Sequence, residues 1–327
     1  MSDAVNADGG ASSCEPGVAG APPSINYSDA SKSTLISHRT FSIRRVIAIC
    51  ANTLTELTRM KAFYFLLFFA LLLIGSSIFL ARFSFQQEFQ ILKDISLGAM
   101  SIFTSILAIV ATARLIPQDV EDRTIYSILA KPVPRFEYLI GRLAGVFLLL
   151  VIGTLAMSAL FLVVIYTREH AVLGETMRQL RTAPPEQLEN ALRTVRASAL
   201  NFDLLPGITI IYLKACLLAA LTLFVSTFAT TNIFTLVVMA FIYFIGHLQG
   251  TAREYWLHEH AAGWGAKLFL AIVALVFPDL QAFNLVDDVV AGVVIPAALF
   301  GKTVALGIFY ITVYSLLAAV VFSGKEL

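Results

Sequence analysis

The chain has 327 residues, of which 58% are hydrophobic and only 14% charged, with a net charge of +1 and a mean hydropathy of +0.80. A water-soluble domain carries about a quarter of its residues charged because its surface must be wetted, so the deficit makes lipid the solvent for much of this surface. The balance of 23 Lys and Arg against 22 Asp and Glu leaves no global field that would recruit nucleic acid or an acidic partner.

Residues 1–37 are rich in Ser, Ala, Gly, Pro, Asn and Asp, and no basic start precedes a hydrophobic run. This composition predicts a disordered tail and not a signal peptide. From His38 to Met60 the pattern turns helical, with Phe41, Val46, Ile47, Ile49, Leu54 and Leu57 set against Arg39, Arg44, Arg45, Glu56 and Arg59. The spacing predicts an amphipathic helix on the membrane surface, its basic side toward anionic headgroups.

About 20 apolar residues are needed to cross the hydrocarbon core as a helix. Six segments meet that length, at about 63–80, 96–116, 143–166, 205–228, 233–248 and 302–322. Thr230, Thr231 and Asn232 make a tight connection between the fourth and fifth. A hydrophilic insert at 167–203 holds two helical patterns, one on Leu173, Met177 and Leu180 and the other on Leu188, Leu192 and Val195, divided by Pro184 and Pro185. The run from Leu268 to Phe277 is too short to cross and reads as an interfacial or re-entrant helix ended by Pro278. The fold class is therefore an all-α membrane protein with six spans, an N-terminal surface helix and a helical extracytoplasmic insert. Arg39, Arg44, Arg45, Arg59 and Lys61 before the first span, and Arg123, Lys131, Arg135 and Arg142 after the second, place both termini in the cytoplasm by the positive-inside rule.

No Asp or Glu falls inside these six ranges, while Arg114 and Lys214 are near enough to span ends to snorkel outward. Coupling of transport to an intramembrane acid is thereby disfavoured. Gly301-Lys302-Thr303 is no phosphate loop, because Pro296 stands where the motif needs glycine. No nucleophile elbow or Ser/His/Asp order suggests acyl transfer, so the chain reads as non-catalytic and without a cofactor of its own. Cys14, Cys50 and Cys216 show no paired spacing and read as inert thiols.

The loop between the second and third spans, Pro117 to Gly145, is the most informative segment. Glu121, Asp122, Arg123 and Thr124 open a short helix with acids at its positive end, and Ile125, Ile128 and Leu129 form an apolar stripe. Lys131, Pro132, Val133, Pro134 and Arg135 then stop it and return the chain to the membrane. A short amphipathic helix in this position suits docking into a groove of a partner.

These residues, with Gly141-Arg142, with Asn52 to Glu56 before the first span, and with Phe277-Pro278-Asp279-Leu280 and Phe283-Asn284-Leu285 after the fifth, make the chain resemble the permease subunit of a type 2 ABC transporter. The similarity is to the exporter-like class, nearest its multi-copper enzyme maturation and gliding-type permeases, and it runs from about His38 to Leu327. Arg142 departs from that pattern, which usually has lysine, but keeps the charge. The resemblance implies a bacterial inner-membrane protein in which two six-span subunits, identical or homologous, pair around a pathway. It also implies two copies of a separate ATPase subunit, each holding a coupling helix of about Val120 to Ala130. Glu121, Asp122, Arg123, Thr124, Ile125, Ile128, Leu129, Lys131, Pro132 and Arg135 would be the docking residues. The rival is a membrane scaffold or sensor whose loop recruits a cytoplasmic protein without transport.

Two weaker patterns complete the reading. Gly141 and Gly145 form a G-x-x-x-G pair that reads as local helix packing before a dimer seam. His247, His258 and His260 with Glu259 lie in or beside one extracytoplasmic loop, where a solvated turn is the better reading and a metal site on His258 and His260 the lesser one.

Overall fold

Uninterrupted apolar segments can satisfy their backbone amides in lipid only by closing hydrogen bonds within themselves, which selects the helix. The computed structural model describes residues 42–81, 88–121, 134–181, 184–199, 204–258, 265, 278–284, 289–290 and 296–324, and every regular element among them is helical. In chain order these are α1 (Ile43–Thr58), α2 (Lys61–Ala81), α3 (Glu88–Ala113), α4 (Leu115–Glu121), α5 (Arg135–Gln179), α6 (Pro185–Ala199), α7 (Leu204–Phe228), α8 (Asn232–His258), a 3-10 turn at Gln281–Phe283, and α9 (Ala297–Gly324). Six of them are long and apolar enough to cross a bilayer, so the chain is an all-helical, multi-pass membrane protein.

Several spans outrun their expected ranges. The second begins at Glu88, and the third runs unbroken for 45 residues from Arg135 to Gln179, absorbing the first helical pattern of the insert. The fifth continues as backbone helix to His258, through residues expected in a wet loop. Prolines mark where helices begin. Pro185 opens α6, while Pro117 in α4 and Pro206 in α7 fall in first turns, where an amide hydrogen has no partner to lose. Pro117 therefore starts no loop, and the helix restarts at Leu115 after a break at Arg114. The tight connection between α7 and α8 falls at Ala229 to Thr231, one residue before the expected Thr230 to Asn232, because Asn232 already opens α8. The expected helix at Leu268–Phe277 and the disordered tail lie outside the described residues.

At the centre stands α7, packed against α3, α5 and α9. Its buried Ala215, Cys216, Ala219 and Ala220 keep the surface shallow, so neighbours approach closely. Where α9 crosses it, a Cβ on Gly307 would sit 2.6 Å from Leu213 Cδ2. Hydroxyls inside the spans bond their own helices, as in Thr104 to the Met100 carbonyl at 2.6 Å and Thr154 to that of Leu150 at 2.7 Å. The outer helices leave Phe65, Phe68, Phe241, Phe244 and Phe309 exposed, an apolar belt suited to acyl chains and not to water.

The amphipathic helix forms as expected but is more than a surface rest. α1 lies along the first turns of α5 and buries Thr53 and Leu57. Arg44 stays exposed, while Arg45 turns inward to Glu137, with Nε 3.3 Å from its carboxylate. α1, α4 and the start of α5 meet at the loop end, the end of the bundle away from α6 that holds Glu121 and Pro134.

Candidate functional site

The loop end is built from a glycine seam and a buried ionic cluster. A Cβ on Gly145 would lie 2.6 Å from Thr53 Cβ and 3.0 Å from the Cys50 carbonyl oxygen. One on Gly141 would lie 2.8 Å from Ile49 Cβ and 3.2 Å from the Val46 oxygen. The G-x-x-x-G pair is thus the bed of α1, a packing role within the chain. Burial at this seam pushes the Cys50 thiol up, which fits an inert cysteine.

Above the seam Arg142 joins three elements. Its Nη1 meets the Glu56 carboxylate of α1 at 2.6 Å, its Nη2 pairs with Asp119 of α4, and its Nε donates to the Tyr138 hydroxyl at 3.3 Å. Tyr138 in turn donates to the second oxygen of Asp119. Arg142, Asp119 and Tyr138 are all buried, and the guanidinium carbon lies 5.6 Å from the Tyr138 ring centre. Every nitrogen of the guanidinium is committed, so its fork binds protein and not substrate. One turn earlier, Glu137 accepts from the Ser42 amide at 3.0 Å as well as pairing with Arg45. Asp119 and Glu137 are buried carboxylates that lie just outside the expected span ranges, Asp119 in α4 and Glu137 in the first turn of α5.

Of the docking residues expected from the sequence, Glu121 is the last residue of α4, and Arg135 is the first of α5. Arg135 Nη1 donates to the carbonyls of Phe322 at 3.3 Å and Ser323 at 2.9 Å, capping the end of α9, and Tyr138 stacks on Phe322 at 6.1 Å. Asp122, Arg123, Thr124, Ile125, Ile128, Leu129, Lys131 and Pro132 lie outside the described residues. His258 ends α8, and His260 also lies outside. Among the described residues no three His, Cys, Asp or Glu side chains gather as metal ligands.

A second polar cluster was not legible in the sequence. Lys214, expected to snorkel, is only 2% exposed, and its Nζ lies 3.0 Å from His247 Nε2. His247 lies within α8, inside the expected fifth span. Its Nδ1 lies 2.9 Å from the Tyr243 carbonyl oxygen, which can only accept. That bond fixes the proton on Nδ1, so Nε2 accepts and the lysine donates. The ammonium also sits 5.9 Å from the Tyr243 ring centre. At the far end, Arg168 of α5 pairs with Glu88 of α3 at 2.6 Å, and Lys93 of α3 donates to the Ser198 carbonyl of α6 at 2.8 Å.

Compared with known protein families and with curated proteins, the chain matches none.

Proposed function

We propose that the chain is the permease subunit of an ATP-binding cassette transporter of the type 2, exporter-like class, coupling ATP hydrolysis on a separate subunit to export of a substrate. One observation carries the reading. The two feet of the 122–133 segment, α4 and the start of α5, are braced to each other and to α1 by the buried Arg142–Asp119–Tyr138–Glu56 cluster. A push on that segment would therefore reach α1, α4 and α5 as one body, and α9 through the Arg135 cap. Such stiffness suits a loop that receives work from outside. A scaffold that only recruits a partner has no use for it.

In this reading the loop end faces the cytoplasm, the docking helix runs from about Val120 to Ala130, and two such chains work with two ATPase subunits. Affinity purification of the tagged full chain from its native membrane tests the proposal. A nucleotide-hydrolysing subunit should accompany the wild-type chain and be lost on Ile128→Asp. Its absence from the wild-type preparation, or its retention by the variant, would refute the docking role.

A further inference from the structure

Beside the ionic cluster a cavity of about 400 Å³ opens at the loop end, lined by Glu56, Leu57, Arg59, Met60, Lys61, Ala62, Arg114, Leu115 and Gln118. It lies at the membrane boundary, because Lys61 begins the first spanning helix and Arg114 marks the break at the end of α3. Among the described lining residues three are cations and one, Glu56, is an acid, already paired with Arg142 at 2.6 Å. Arg114 donates to Gln118 at 3.2 Å, an uncharged partner that leaves its charge uncompensated. α2 starts in this wall, so its positive end adds to the same field.

We propose that this cavity binds the phosphate of an anionic phospholipid headgroup in the leaflet at the loop end. Arg59, Lys61 and Arg114 hold the phosphate oxygens, as clustered basic side chains at a membrane boundary do. The apolar part of the lining, Leu57, Met60, Ala62 and Leu115, receives the glycerol and the upper chain. Below it the exposed Tyr64, Phe65 and Phe68 of α2 give the acyl tails a continuous apolar track. That continuity between a cationic cavity and a lipid-facing helix favours a lipid over a free anion. The site does not depend on the transport reading.

The purified full chain in zwitterionic detergent is titrated with short-chain phosphatidylglycerol, phosphatidylcholine, glycerol phosphate and inorganic phosphate, with bound lipid counted by native mass spectrometry. Phosphatidylglycerol should bind saturably and at least tenfold tighter than phosphatidylcholine. Arg59→Gln with Lys61→Gln should weaken it by roughly fivefold for each cation removed, whereas Arg59→Lys should retain most of the binding. Because Arg59 and Lys61 are exposed, the double variant should melt with the wild type when no lipid is present. If it does not fold, the wild-type chain still decides the matter, since its preference for phosphatidylglycerol should shrink several-fold as salt is raised. Equal binding of the two lipids, a preference indifferent to salt, or binding unchanged in the double variant overturns the site. Glycerol phosphate or inorganic phosphate binding as tightly as phosphatidylglycerol overturns the lipid as its occupant.

Discussion

Arg142→Ala tests the brace at the loop end most directly. Asp119 and Arg142 are 4% and 5% exposed, so deleting the guanidinium takes the arginine's charge away from a buried carboxylate, a change that costs about 3–5 kcal/mol. Glu56 adds little, because its side chain is 34% exposed and water can replace the arginine, as at surface pairs worth about 0–1 kcal/mol. The loss is large against total stabilities of roughly 5–15 kcal/mol. Equilibrium unfolding in mixed micelles measures it. Removing both charges together, Arg142→Met with Asp119→Asn, leaves an amide that can still accept from Tyr138. This double variant should recover to within about 2 kcal/mol of the wild type, since a buried ion pair exchanged for uncharged groups is often nearly neutral. With Arg142→Met and Asp119→Asn also measured singly, the cycle should show a coupling of at least about 2 kcal/mol between the two positions. Arg142→Lys should fall between, because one ammonium cannot serve Glu56, Asp119 and Tyr138 at once. An Arg142→Ala chain within about 1 kcal/mol of the wild type, like an ordinary surface substitution, would refute the buried clasp.

Three further outcomes follow from the packing. Gly145→Leu drives side-chain atoms into Thr53 and the Cys50 carbonyl, so α1 should lift at a cost of about 1–3 kcal/mol; in a Cys14→Ser background, Cys50 should then react faster with a membrane-permeant maleimide at neutral pH. Unchanged labelling would mean that α1 does not rest on that glycine. Lys214→Met removes a buried cation whose partner is an uncharged imidazole. The variant should therefore unfold no more readily than the wild type, and a loss above about 2 kcal/mol would refute that accounting. Arg135→Ala uncaps the Phe322 and Ser323 carbonyls, and faster amide exchange confined to the last turn of α9 should report fraying worth about 1 kcal/mol.

The spans were legible because their signal is local: a run of apolar residues long enough to cross leaves the chain little choice. The tight turn at Ala229 to Thr231, the proline-divided insert and the close approach at Gly141 and Gly145 were legible for the same reason. The clasp was not, since Arg142 meets Asp119 at a separation of 23 residues and Glu56 at 86, and no periodicity encodes which distant acid a buried arginine will face. Lys214 looked like a snorkelling lysine because its helical position places it within a few turns of a span end, and only the packing of α8 brings His247 to it. Pro117 misled in a third way. Proline ends a helix when it removes an interior hydrogen bond, but here it falls in a first turn, where there is none to remove.

The 45 residues of α5 form one continuous rod, about 68 Å long at the rise of an α-helix. Its base is gripped by Glu56 and Asp119 through Arg142, and farther along Arg168 is hooked to Glu88. Between those two fastenings it behaves as a lever, and a tilt of about 5° at the base would swing the tip by about 6 Å at that length. The tip carries α6 beside it, and α6 is itself tethered to α3 by Lys93. Any rotation imposed at the base would be carried to the tip, because no break in the helix lies between them to absorb it.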